Sequence, residues 1–412
     1  MQAYQITLSL QSAFATPLKG DTLFGQLCWA IRNRLGEAAL NQCLEGYTNN
    51  QPFAVVSDAF PDGYLPLPKL PSCFYQLPEG EDRKAVKKLA WLPKTKLQKP
   101  LKEWLGHAVN AKTIASVSNT CTSDAGGSDT GGSDAGGSDT GGSDAGGSDA
   151  GGSDAHVATK AATKTATNHT TSLSEKHPQP HNTINRQTNT TGEGGFAPYS
   201  IEQEWFVPGL RWTLYLLLDT ARLSVEDCWQ CLADIGAFGF GKDASIGMGK
   251  FQIDAFQEQP LPAQDDANAC LTLAPCAPQG LGFDSQHSYY QLFTRFGRHG
   301  DIAVHQEGKP FKNPVLLAQT AAVFSTPPPT SGFIGQGIGG KGDLSKTLAA
   351  TVHQGYAPVI AVCLSKVSGG SDAYVATDGS VCSSRDVGVA PTGTPKLPRQ
   401  QMPNESTQTG TI

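Results

Sequence analysis

Between residues 122 and 155 the chain repeats Gly-Gly-Ser-Asp-(Ala/Thr) in tandem. A five-residue period is far too short for one unit of a solenoid, and the stretch holds no large apolar side chain to bury. Together with the Thr-, Ala- and Asn-rich residues that follow, positions 119–180 are expected to form a low-complexity, disordered insertion. Whatever folds is built from the sequence on either side of it. The tail, 366–412, is similar in composition, and Gly369-Gly-Ser-Asp-Ala373 echoes the repeat, so disorder is expected there as well.

The repeat also distorts the charge balance. Seven aspartates lie within 122–155 with no Lys, Arg or Glu, and without them the net charge of −6 becomes +1. A near-neutral body with local basic clusters is compatible with nucleic-acid binding and does not demand it. A chain of 412 residues has length for two domains and a sizeable core. Ten cysteines without regular spacing, and no signal peptide ahead of them, read as free thiols in a reducing cytoplasm. No apolar run approaches the roughly 18 residues of a membrane span, so no membrane contact is expected.

Residues 3–10 alternate with period two, the pattern of a half-buried strand. Gly20-Asp21-Thr22 then predicts a helix over 22–35, with Asp21 accepting from its first N–H groups and Phe24, Cys28, Ile31 and Leu35 on one face. Residues 53–60 predict a second strand, and the prolines after it an edge-like path. Residues 83–102 hold Arg83, Lys84, Lys87, Lys88, Lys94, Lys96, Lys99 and Lys102 without an acid, and Trp91 and Trp104 lie in or beside the run. Such a run suits an RNA surface and, equally, a solvated helix face.

Beyond the insertion, 204–218 reads as a long strand or hairpin, 224–235 as a helix and 249–256 as a strand. Without the insertion the order is strand, helix, strand, strand, helix, strand, which is that of a ferredoxin-like, RRM-related unit. The expected fold is α+β. Its first unit comprises 1–115 plus 181–258. A second unit over 265–365 has strand-like runs at 270–274, 289–296, 313–324 and 357–364.

Between the helix 224–235 and the strand 249–256 lies a glycine-rich run, with Gly236, Gly239, Gly241, Gly247 and Gly249 set among Lys242, Lys250 and three phenylalanines. Without Cβ atoms, backbone N–H groups approach an anion closely. Gly236 to Lys242 spells G-x-x-x-x-G-K, but Asp243 stands where a P-loop has its magnesium-ligating Ser or Thr. The order of helix before and strand after is also the reverse of a P-loop. Two readings remain: a loop that turns the chain, and a loop that binds a phosphate backbone. Cys228-Trp-Gln-Cys231 is a lone CxxC on a helix and reads as packing, so no metal or other cofactor is expected. Arg295 and Arg298 beside Phe293 and Phe296 suit contact with RNA or a neighbouring subunit, or simple solvation.

Five pieces taken together carry a resemblance: Gly20-Asp-Thr-Leu-Phe-Gly-Gln-Leu-Cys-Trp-Ala30, Ser57-Asp-Ala-Phe-Pro-Asp-Gly-Tyr-Leu-Pro66, His181-Asn-x-Ile-x-Arg-x-Thr188, Gly239-Phe-Gly-Lys-Asp-Ala-Ser-Ile-Gly-Met-Gly249 and His353-Gln-Gly-Tyr-Ala-Pro358. The set resembles the RAMP subunit of type III-A (Csm) CRISPR effector complexes that caps the 5′ handle of the crRNA, the fourth Csm subunit, over about 1–110 and 181–365. The resemblance implies two ferredoxin-like halves, glycine-rich loops on the RNA and a thumb-like insertion in the first half. The repeat lies where that thumb belongs. Implied partners are crRNA, the large polymerase/cyclase-like subunit and the first backbone RAMP subunit.

On this reading Gly239, Gly241, Lys242, Gly247, Gly249 and Lys250 grip phosphates, with Asp243 and Ser245 inside the same loop. His181, Asn182 and Arg186 supply donors and a stacking plane, and Gly335, Gln336, Gly337 and Lys341 serve from the second half. The expected role is a non-catalytic, antiviral-defence RNA-binding subunit. The alternative is a metal-independent endoribonuclease that matures pre-crRNA with His181 or His299 as acid–base group. A nucleotide switch through 236–243 is a third possibility.

Overall fold

The period-two alternation of the N-terminus becomes the strand Gln2–Leu10, in which Tyr4, Ile6 and Leu8 are buried on one face. A computed structural model describes residues 1–76, 83–123, 172–192, 196–300 and 310–364, with short strands at 369–370, 373–375 and 381–382. The expected disorder at 124–171, and most of the tail, lies outside the described residues. The three short strands pair only with one another.

Four strands of the first, five-stranded antiparallel sheet lie in the order Ala54–Val56, Arg211–Leu218, Gln2–Leu10, Phe251–Glu258, and the short Phe60–Pro61 pairs beside them with Arg211–Leu218. Counted as the first unit's own strands, that order is second, third, first, fourth, which is the expected ferredoxin-like arrangement. Helices Gly20–Leu35 and Val225–Phe238 cover the face that carries Tyr4, Ile6 and Leu8. Of the face predicted for the first helix, Cys28 is half-buried and Leu35 is exposed, while Phe24 and Ile31 are buried together with the neighbouring Leu23 and Leu27. Removing such a side chain from water contributes about 1.5–3 kcal/mol. The Ser224 hydroxyl caps the second helix by accepting from the Asp227 N–H at 3.0 Å.

Asp21 does not cap the first helix. The N-cap position is Lys19, without a side-chain bond, and Asp58 from a distant loop accepts the Gly20 N–H at 2.8 Å. The Asp21 carboxylate is drawn instead to Arg295 of the second unit. A full charge supplies a stronger partner than the helix's own N–H groups.

The expected strand 53–60 is interrupted. Ala54–Val56 and Phe60–Pro61 both pair with Arg211–Leu218, but Ser57 and Asp58 turn away between them. Ser57 closes the gap with its hydroxyl, which accepts from the Tyr215 N–H at 2.8 Å, while the Asp58 N–H donates to the Leu273 carbonyl. The hairpin expected at 204–218 is two strands, Tyr199–Phe206 and Arg211–Leu218, parted at Pro208-Gly209. Tyr199–Phe206 pairs along its length with Ser174–His181 as a two-stranded ribbon. Residues 174–180 are thus ordered strand, not insertion. The ribbon is held by backbone pairing and an ion pair of Lys176 with Glu202, which require no apolar pattern.

The second half holds a five-stranded antiparallel sheet ordered Asp284–Tyr289, Val323–Ser325, Ala269–Thr272, Val352–Val362, Phe333–Gly339. Among its described residues there is no helix, so the α+β class holds for the chain while the second unit departs from the expected ferredoxin-like pattern. Its connections are studded with proline and glycine (Pro275, Pro278 and Gly280; Pro327, Pro328, Pro329 and Gly332), and such segments cannot sustain a helix. Gly335, Gln336 and Gly337, expected to contact RNA from the second half, lie within the strand Phe333–Gly339 of this sheet.

The two units are joined by buried hydrogen bonds. The Gln354 side chain accepts from the Val56 N–H at 2.9 Å and donates to its carbonyl at 2.8 Å, so one amide stands in for a strand partner. The Tyr356 hydroxyl donates to the Tyr47 carbonyl. The other face of the first sheet, used in RRM-type recognition, is covered here by residues 60–105. Lys94 lies on that face, donating to Gln5 at 2.9 Å over the Tyr215 ring, and burial pushes its ammonium down in pKa.

Candidate nucleic-acid interface

The first sheet's topology brings several connections to one end. Strands Gln2–Leu10 and Ala54–Val56 finish there, while Arg211–Leu218 and Phe251–Glu258 begin there. The segment 11–19, the glycine-rich run and the root of the ribbon therefore meet. Phe14 and Glu204 bridge the segment to the ribbon.

Residues 11–16 hold the glycine-rich loop from behind. Ser12 and Thr16 accept from the N–H groups of Lys250 and Lys242 with their hydroxyls, and the Ala13 carbonyl accepts from the Gly249 N–H. Phe240 and Met248 are buried beneath the loop. Gly239 and Gly249 have φ of 109° and 74°, and a Cβ on Gly249 would lie 2.1 Å from the Phe240 carbonyl oxygen. These glycines allow two backbone strands to touch. A Cβ on Gly241 would lie 2.5 Å from the Thr16 Cβ, and only Gly247 of the loop's left-handed glycines faces open space. The glycines thus serve the loop's own packing, and what they expose is backbone.

The four N–H groups of Gly241, Asp243, Ala244 and Ser245 have no hydrogen-bond acceptor among the described residues. Ser245 and Lys250 are exposed, and the Lys242 side chain is 64% exposed, with Asp243 Oδ2 3.7 Å from its ammonium. Asp243 holds a left-handed conformation at the loop's turn. Free N–H donors and two ammonium groups on a rigid support form a place for an anion.

The other expected residues lie elsewhere. His181 is at the distal end of the ribbon, seven residues and about 23 Å from its root at the strand rise. Its ring stacks on Tyr199 with centroids 5.4 Å apart, and Asn182 and Arg186 are exposed just beyond it. Gly335, Gln336 and Gly337 are paired in the second sheet, where a Cβ on Gly337 would lie 2.5 Å from the Tyr47 carbonyl oxygen. Lys341 follows that strand. His299 is 4% exposed and bonded to Ser345, and burial, with Lys312 nearby, pushes its imidazole down in pKa. Trp104 is fully buried and donates to the Lys99 carbonyl, so it is core and not a stacking platform. Ser12 and Thr16 are invisible in the sequence because an isolated hydroxyl has no pattern.

No helix among the described residues is long and apolar enough to cross a membrane, and no group of His, Cys, Asp and Glu among them could hold a metal ion. No family model matches the chain, and no curated protein does. Among solved structures it is similar to a chain of the Csm1–Csm4 cassette in complex with pppApA, at 13% identity and a TM-score of 0.46, covering 89% of this chain and 100% of that one. It is similar to a chain of the Csm3–Csm4 subcomplex of the type III-A CRISPR–Cas interference complex, at 13% identity and TM-score 0.47, covering 87% of this chain and 99% of that one. A chain of the type III-B Cmr-beta complex bound to cognate target RNA is similar at 9% identity and TM-score 0.26, covering 62% of this chain and 60% of that one.

Proposed function

We propose that this chain is a non-catalytic RNA-binding subunit of a type III-A CRISPR effector complex. It holds the unpaired 5′ handle of crRNA at the glycine-rich loop and seats the large polymerase/cyclase-like subunit beside the first backbone RAMP subunit. The observation that carries the reading is the set of acceptor-free N–H groups at Gly241, Asp243, Ala244 and Ser245 beside exposed Lys242 and Lys250. Phosphates of a single strand accept from such donors whatever the base sequence, and lysines add charge. The resemblance of the motif set to the Csm subunit supports the choice of RNA and the partners. His181, Asn182 and Arg186, at the ribbon's far end, are placed to reach nucleotides beyond the loop's own span.

The test is retention of crRNA by the complex purified through a tagged copy of this chain. Lys242→Ala with Lys250→Ala is expected to lower crRNA occupancy and recovery of the large subunit, with the melting profile of the isolated chain unchanged. Undiminished occupancy overturns the proposal.

A further inference from the structure

A cleft of about 750 Å³ opens between the two units, away from the glycine-rich loop. Its size falls within the roughly 300–1,000 Å³ of small-molecule sites. One wall comes from residues 58–71 and 87–91, the other from 289–295 and 319–321.

The charges lining it differ in how they are balanced. Lys19 pairs with the buried Asp58 at 2.7 Å, and Arg295 with the buried Asp21. Lys69 and Lys87 are exposed on the rim and form no ion pair with any described residue. Among the described residues the cleft therefore carries two positive charges without an acidic partner, while Asp58, a lining carboxylate, is already bound by Lys19 and the Thr320 hydroxyl.

The lining also includes flat surfaces. Trp91, Tyr290 and Phe293 are half-buried and face the cleft, and the Arg295 guanidinium lies 5.0 Å from the Phe293 ring centroid. Asp21 fixes that guanidinium from behind with two hydrogen bonds, so its plane is held in place before any ligand arrives. The amides of Gln291 and Gln319 line the same space, each offering a donor and an acceptor.

We propose that this cleft is a nucleotide site. A phosphate dianion is matched by Lys69 and Lys87, a planar base by the aromatic wall, and the base edge by Gln291 and Gln319. A simple inorganic anion would leave the aromatic wall unused, and an uncharged aromatic would leave both ammonium groups unused. The nucleotide arrives either free or as one unit of a single strand, and both present the same groups. The inference stands on the cleft and does not require the glycine-rich loop to bind RNA.

The test is calorimetric titration of AMP into the full-length protein, with adenosine and inorganic phosphate as part-ligands. AMP is expected to bind saturably and more tightly than either part. Lys69→Gln with Lys87→Gln, at exposed positions that leave the fold intact, is expected to weaken AMP by about tenfold. Lys242→Ala with Lys250→Ala is expected to leave AMP binding unchanged, which separates this site from the loop. Displacement of AMP by a short single-stranded RNA assigns the site to a strand, and indifference to that RNA assigns it to a free nucleotide. No saturable AMP binding, or AMP binding that depends on Lys242 and Lys250 and not on Lys69 and Lys87, overturns the proposal.

Discussion

Asp21, in the first turn of the first unit's leading helix, grips Arg295 of the second unit through two hydrogen bonds, 2.6 Å from Nε and 3.0 Å from a terminal nitrogen. Burial alone raises the Asp21 pKa, but His353 at 3.5 Å and the guanidinium outweigh it, holding the carboxyl below the usual carboxylate range. Removing one partner of a buried pair strands the other charge and costs about 3–5 kcal/mol. Asp21→Asn is expected to lower the unfolding free energy by an amount near the lower end of that range, measured by denaturant titration at neutral pH. A folded-state pKa below the unfolded value means the contribution is complete above about pH 4 and lost as acid takes the pH down through the folded value. The gap between variant and wild type is therefore expected to narrow below about pH 4. A gap that stays constant into acid excludes Asp21 as its source.

The glycine-rich loop gives a salt-dependence prediction. For a single strand, each phosphate that a cation neutralises adds about 0.7 to the slope of log affinity against log salt. Lys242→Ala with Lys250→Ala is expected to flatten that slope by about 1.4 for a single-stranded handle RNA, as read by filter binding across a salt series. A weaker complex with an unchanged slope would mean that the two ammonium groups do not meet phosphates.

Gly249 and Gly247 share a left-handed conformation but not a neighbourhood. A Cβ on Gly249 runs into the Phe240 carbonyl, whereas one on Gly247 meets nothing within 4 Å. Gly247→Ala should cost only the conformational strain of about 1–2 kcal/mol. Gly249→Ala adds a backbone clash and is expected to cost more, with loss of RNA binding. Thermal melts of the two variants check the order, and equal melting points would contradict it.

Ser224 caps the helix Val225–Phe238 at its N-terminus. Ser224→Ala is expected to cost about 1 kcal/mol, and Ser224→Asp to recover most of it. Urea midpoints of the three proteins provide the measurement.

The first unit is readable because its strands and helices carry their burial pattern in one dimension: Tyr4, Ile6 and Leu8 at period two, Phe24, Leu27 and Ile31 at helical spacing. Features that depend on a distant partner are not readable. Asp21 looks like a cap until Arg295 is placed beside it, and nothing in the sequence marks Gln354 as a partner until Val56 needs a donor and an acceptor. Ser174–His181, with Pro178 and Pro180 in a polar run, shows no strand signal because its stability comes from backbone pairing to Tyr199–Phe206. The glycine-rich loop is visible in the sequence, but there its glycines look like openings for a ligand. Gly239, Gly241 and Gly249 prove to be sites of close packing within the protein, and the free donors belong to Gly241, Asp243, Ala244 and Ser245.

The strand Arg211–Leu218 lies between Gln2–Leu10 and Ala54–Val56, although the ribosome makes it long after both. The two early strands therefore leave the exit tunnel with no edge to join and must wait for the middle of their own sheet. Closure comes late in synthesis, where loop entropy is greatest. A chain severed between Ser123 and Leu173 would yield two fragments, neither holding all the strands of the first sheet, and each would supply on mixing the strands the other lacks.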